Sequence, residues 1–184
     1  FAFHYQLLTG NFSKLKEDIQ TRWLLIFTVL GIGLVTVSRL SIGMTMRFFR
    51  DSAFQFVSAI SCTGFQTADI GGWGATGQML MVAGMVVGGA AGSTAGGIKV
   101  LRTVLIARGI GWQFKRLVAS PNELLKFNFG SRKLDEEEAT SKFLSVATVA
   151  LLWIAFLFTG VILLDLTAPE SFTLAEVLFE VASA

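Results

Sequence analysis

Residues 62–67 read Cys-Thr-Gly-Phe-Gln-Thr, and the chemistry available there belongs to the backbone. A run of consecutive carbonyl oxygens can replace the hydration shell of a cation. Gly64 supplies the positive φ that a sharp turn of carbonyls requires. The segment in front, residues 53–60, is apolar and of helical length, and a helix ending there points its partial negative charge at the same spot. The expected ligands are the carbonyls of Cys62, Thr63, Gly64 and Phe65, arranged as a cation selectivity filter. The plainer alternative is an amphipathic helix and loop on the outer surface, with Gly64 as its C-cap.

A second run with chemical meaning is Gly88-Gly89-Ala90-Ala91-Gly92-Ser93-Thr94-Ala95-Gly96-Gly97. Each Gly costs about 1 kcal/mol against Ala in a helix interior, so five in ten residues should unwind the apolar stretch 79–110. Unwound backbone at membrane depth is tolerated only inside protein or beside a water-filled cavity, and broken helices of this kind mark ion and substrate paths. Residues 88–97 are therefore expected to form an intramembrane loop beneath the filter, able to block or clear a path. Close helix packing through small residues is the other way to use such a run.

The elements that position these segments follow from composition. The 184-residue chain is 53% hydrophobic and 15% charged, with 17 Phe and a mean hydropathy of +0.64, outside the usual soluble range. Crossing a bilayer core takes about 20 apolar residues. Residues 23–40 and 143–164 qualify, as does the interrupted stretch 79–110. Basic residues favour the cytoplasmic side. Lys14, Lys16 and Arg22 precede the first span and nine basic residues lie in 99–142, which places residues 41–78 outside. In that outer stretch Asp51 and Ser52 are expected helix N-caps, followed by about three helical turns, too short to span. Such a helix dips into the membrane and returns.

The chain also repeats itself. Phe54-Gln-Phe-Val-Ser-Ala59 is matched by Phe179-Glu-Val-Ala-Ser-Ala184, about 125 residues later. The start, Phe1-Ala2-Phe3-His4-Tyr5, reads as the end of a preceding membrane helix, so the sequence is expected to be part of a longer polypeptide.

Taken together, the helix, short helix, Cys-Thr-Gly-Phe-Gln-Thr, the broken helix with Gly92-Ser93-Thr94-Ala95-Gly96-Gly97-Ile98-Lys99, and the second short helix at residues 179–184 resemble the membrane subunit of Trk/Ktr/HKT-type potassium transporters. The resemblance covers essentially the whole chain, and the Gly-Ser-Thr-Ala-Gly-Gly-Ile-Lys run is its most specific part. It implies an all-α membrane protein built from helix, re-entrant pore helix, helix repeats around a K⁺-channel-like pore, with one broken transmembrane helix. Residues 1–22 would be the end of a preceding helix and a cytoplasmic linker, 23–110 a complete third unit, 111–142 a cytoplasmic connector, and 143–184 the first helix and pore helix of the fourth unit. The family's filter positions fall on Cys62, Thr63 and Gly64, and its gating loop on residues 88–99, including Gly88, Gly89, Gly92, Ser93, Thr94, Gly96, Gly97 and Lys99. Cys62 departs from the more usual Thr or Ser. The resemblance further implies K⁺ as the transported ion, no organic cofactor, no enzymatic activity, a multi-pass location in the plasma or inner membrane, a homodimer in contact with lipid, and a cytoplasmic nucleotide-binding regulatory subunit. A secondary transporter of another cation or small solute, with its site at the broken helix, is the alternative.

Other features are weighed against this frame. Gly72-Trp73-Gly74-Ala75-Thr76-Gly77 fits Gly-x-Gly-x-x-Gly, but no strand precedes it and no acidic residue follows at about 20 positions; it is read as an outer turn. Residues 92–99 fail the phosphate-loop spacing. The net charge of +2 gives no case for nucleic acid, and the single cysteine excludes an intrachain disulfide. Asn11 is placed in the cytoplasm and His4 has no catalytic partner. Asp69 either concentrates cations at the outer mouth or forms an ordinary turn. Glu180, in the second short helix, either accepts hydrogen bonds from filter backbone or adds negative potential near the ion. Lys99 and Arg102 either repel cations in a closed state or anchor the helix at the headgroups.

Overall fold

The computed structural model describes residues 18–39, 46–118, 127–129, 132–167 and 172–183. His4 and Asn11 lie outside them. Six helices dominate: α1 (Ile19–Ser38), α2 (Met46–Ser61), α3 (Gly74–Val87), α4 (Val100–Val118), α5 (Glu136–Asp165) and α6 (Leu174–Ser183). A 3₁₀ turn at Gly71–Trp73 leads into α3. The expected all-helical fold is qualified by one small antiparallel hairpin, β1 (Phe127–Phe129) with β2 (Arg132–Leu134).

Helices α1 and α5 are long and apolar enough to cross a membrane. Helix α1 starts with Asp18 capping the Thr21 N–H through its carboxylate at 3.1 Å, the usual way to satisfy a free helix-start donor, and stops at Arg39. The interrupted stretch is split as its glycines demand: α3 ends at Val87 and α4 begins at Val100.

Two local expectations are corrected. Asp51 and Ser52 are not caps: α2 is already helical from Met46, and the Ser52 hydroxyl donates to the Phe48 carbonyl at 3.0 Å. At 1.5 Å per residue its 16 residues give a helix of about 24 Å rather than three turns. Gly72–Gly77 is only half a turn, since Gly74 onward is the first turn of α3. The polar connector is helical at both ends, where the Arg116 guanidinium pairs with Glu136 at 2.7 Å and Trp112, Phe127 and Ala139 form a small core.

The main core is built around α2. Phe56, Ala59 and Ile60 pack with Val35 of α1, Met81 and Met85 of α3, and Ile70 and Trp73 of the outer turn. The Phe56 ring occupies the space that a Cβ at Gly31 or Gly84 would need, so a glycine on each flanking helix lets α2 lie between them. The second unit uses the same device: Val181, 125 positions after Phe56, fills the space beside Gly160 of α5. At the same register of the repeat a side chain thus meets a glycine in both copies, although the glycine itself is displaced by about one turn, since position 156, which matches Gly31, is Phe. Helix α6 lies against both α3 and α5, which brings the second short helix up to the first unit. Its start is a capping box: the Glu176 carboxylate accepts from the Thr173 N–H at 2.7 Å and hydroxyl at 2.9 Å, bonds that hold that carboxyl below its usual range.

Candidate functional site

The segment expected to carry the chemistry begins where α2 ends. The Cys62 N–H donates to the Ala59 carbonyl at 3.2 Å and the Thr63 N–H to the Ser58 carbonyl at 3.1 Å. This pair of bonds is a Schellman termination with Cys62 at the left-handed position; Cys62 has φ +51° although it is not glycine. Gly64 follows at φ +74°, the conformation its residue type predicts. The chain turns twice in three residues and then continues through Phe65 and Gln66.

The far end of the segment is tied down by one side chain. Gln55, 1% exposed, donates from Nε2 to the Ala68 carbonyl at 2.9 Å and accepts at Oε1 from the Thr67 N–H at 3.2 Å. Both hydrogen-bonding ends of the amide are used on backbone twelve and thirteen residues away. Hydroxyls close the near end: Thr63 Oγ1 lies 3.2 Å from Ser58 Oγ and 3.3 Å from Ser61 Oγ. Residues 62–66 between these anchors line a cavity of ≈270 Å³, and Glu180 and Ser183 of α6 border it from the other unit.

Glu180 is therefore brought to the same cavity as the Cys62–Phe65 backbone, but it is exposed there. Asp69 accepts from the Gly71 N–H at 3.0 Å, which makes it part of the outer turn. Beyond the turn, Arg39 from the end of α1 is stacked between the Trp73 and Phe48 rings, 3.8 and 4.2 Å from their centroids, and donates to Ser52 at 3.3 Å. Nothing in the sequence alone pointed to this clamp, because its parts are scattered over 34 residues.

The glycine-rich run forms a closed loop. Its neck is hydrogen-bonded, with the Ile98 N–H donating to the Val86 carbonyl at 2.9 Å and the Val100 N–H to the Gly89 carbonyl at 3.1 Å. Gly88 and Gly97 meet at this neck with φ of +68° and +75°, and a Cβ on either would collide with backbone of the opposite strand. Gly92, Ser93 and Thr94 form the exposed tip. Lys99 has φ +76° and its ammonium donates to the Ser93 carbonyl at 2.8 Å, turning towards the loop tip. The loop abuts the end of α2: Gly89 lies under the Ile60 carbonyl and Gly96 beside the Cys62 sulfur. A second cavity of ≈830 Å³ is bordered by Cys62, Thr94, Gly96, Gly97 and Glu180, so Cys62 and Glu180 stand between the two spaces.

Two helices long and apolar enough to cross a membrane, and a short helix ending in a turned-back segment beside a cavity, are the architecture of a membrane protein. The match to known proteins is specific. Residues 17–184 match the TrkH family, described as cation transport protein, and the chain belongs to that family. It is 30% identical over 174 residues to the Trk system potassium uptake protein TrkH of Salmonella typhimurium, covering 88% of this chain and 35% of that protein. An uncharacterized cation transporter of Methanocaldococcus jannaschii is 33% identical over 118 residues, 64% of this chain and 23% of the relative. The Trk system potassium uptake protein TrkI of Halomonas elongata is 33% identical over 103 residues, 55% of this chain and 21% of the relative. The chain thus spans about a third or less of the length of the relatives it matches.

Proposed function

We propose that the protein containing this chain takes up K⁺ across a cell membrane by channel-like permeation, with the carbonyls of Cys62, Thr63, Gly64 and Phe65 as one quarter of the filter. The observation that carries this reading is the pair of left-handed residues, Cys62 and Gly64, which turn five consecutive residues onto one cavity. Dehydrating an alkali cation needs several oxygens held in place, and backbone tethered at both ends supplies them without reorganisation. The remaining ligands come from the other repeats of the same subunit. Glu180 adds negative potential beside the path, and Asp69 acts mainly through the turn it forms.

Below the filter, residues 88–99 are the gate. Its position against the end of α2 obstructs the path, and the Lys99 contact to the loop tip favours the closed form. A homodimer of such subunits, resting on a cytoplasmic nucleotide-binding regulator that contacts the connector, completes the assembly in this reading. The relatives named for potassium uptake support K⁺ as cargo.

Flux into liposomes containing the full-length transporter tests the reading. K⁺ or Rb⁺ should move without any co-substrate. Gly64→Ser, which forces a side chain into φ +74° at a strain of about 1–3 kcal/mol, should lower K⁺/Na⁺ discrimination about tenfold, the equivalent of roughly 1.4 kcal/mol. Uptake that requires a coupled solute, with discrimination untouched in the variant, would instead favour a secondary transporter with its site at the broken helix.

A further inference from the structure

We propose that Gln55 is a positioning residue for ion selection: its buried side-chain amide, bonded to the Thr67 N–H and the Ala68 carbonyl, fixes the geometry of the Cys62–Phe65 carbonyls. The inference rests on reading those carbonyls as the ion path. Gln55 is the buried polar side chain of α2 that reaches the return segment with both a donor and an acceptor. Helix α2 itself is anchored by Phe56 between α1 and α3, so Gln55 transfers the rigidity of the helix core to a segment that has no ladder of its own. The Schellman bonds hold one end of residues 62–68 and Gln55 holds the other. What lies between has the oxygen spacing that these two anchors impose, and a cation site discriminates by that spacing and its stiffness.

The amide is needed in both halves. A side chain here must accept one hydrogen bond and donate another, which Gln does and an ionised carboxylate cannot. A neutral carboxylic acid of the same length can do both. Position 180 occupies the same register of α6, 125 residues on, and carries Glu, but that side chain is exposed where Gln55 is buried.

The contrast between neutral acid and carboxylate makes Gln55→Glu a reversible test on one folded protein. The groups around the site are Asp51 on α2, whose carboxylate lies 3.5 Å from the Thr67 hydroxyl; Asp69, next to Ala68 in the chain; Arg39 from α1, bonded to Ser52; and Glu180 from α6, on the same cavity. Helix α3 contributes no titratable side chain. Asp51 is itself paired with the Arg50 guanidinium at 3.5 Å, and burial of position 55 favours the neutral acid over the carboxylate.

Rubidium and sodium flux through full-length transporter in liposomes is measured at several pH values for wild type, Gln55→Glu, Gln55→Leu and Gly64→Ser. Wild type at each pH accounts for any effect of pH that does not depend on position 55. Gln55→Glu should match wild type at low pH, where the neutral acid donates to Ala68. It should lose discrimination at least tenfold at high pH, where the carboxylate faces that carbonyl; Gln55→Leu should be poorly selective throughout. If Gly64→Ser lowers discrimination while Gln55→Glu tracks wild type at every pH, the path stands and the clamp is wrong. If Gly64→Ser changes nothing, the path reading fails and the clamp with it. Should Gln55→Leu not fold, the pH series of Gln55→Glu decides alone.

Discussion

Cys62 holds a left-handed backbone conformation, φ +51°, that costs an L-residue roughly 1–2 kcal/mol. Glycine is the usual occupant of that helix-end position. The strain sits at the first carbonyl of the proposed path, where a fixed backbone is worth more than local stability. Cys62→Gly should therefore raise the unfolding midpoint of the purified transporter, by about 1 kcal/mol in stability, while its backbone carbonyl remains available. A fall in the midpoint by the same amount would mean that the Cys62 side chain makes contacts worth more than the strain. Gly64 was legible from the sequence because a single residue type answers a single backbone need. Gln55 was not, since the two backbone groups it bonds lie a dozen residues away and become its neighbours only after the chain has turned. The available clue was its register, shared with Glu180 in an otherwise apolar repeat.

At the scale of elements, the long apolar helices and the break between α3 and α4 could be read directly, because length, hydrophobicity and clustered glycines each have one dominant physical consequence. The start of α2 could not. Asp51 and Ser52 have capping side chains, but in the fold Ser52 is buried inside the helix and bonds back to Phe48, and the basic residues Arg47 and Arg50 flank Phe48 and Phe49, which are helical too. Tertiary packing on the Trp73 and Phe48 rings, through Arg39, fixes that end instead. The loop at residues 88–97 was expected from composition, whereas its closed neck was not. That neck depends on Gly88 and Gly97 lying face to face. Gly97→Val places a branched side chain at φ +75° against the backbone of Met85 and should force the neck apart, at a cost of about 1–3 kcal/mol. The expected readout is a several-fold rise in basal K⁺ leak without the regulator. Unchanged leak in a folded variant would remove residues 88–99 from the gating role.

For the whole molecule, α6 packs against both α3 and α5, and a side chain of each short helix lies against a glycine of a long one, Phe56 at Gly31 and Val181 at Gly160. A chain built this way leaves the turned segment at residues 62–66 facing a cavity that a single unit does not close. The chain belongs to the TrkH family and covers about a third of the length of its Salmonella typhimurium relative. The central claim is that the backbone carbonyls of Cys62, Thr63, Gly64 and Phe65 bind the permeating ion. It is tested most directly by locating Rb⁺ or Tl⁺ by anomalous scattering in crystals of the full-length transporter. A peak is expected on the pore axis at about 3 Å from those oxygens, displaced or weakened in Gly64→Ser. Strong ion peaks elsewhere in the protein, with none beside residues 62–65, would contradict it.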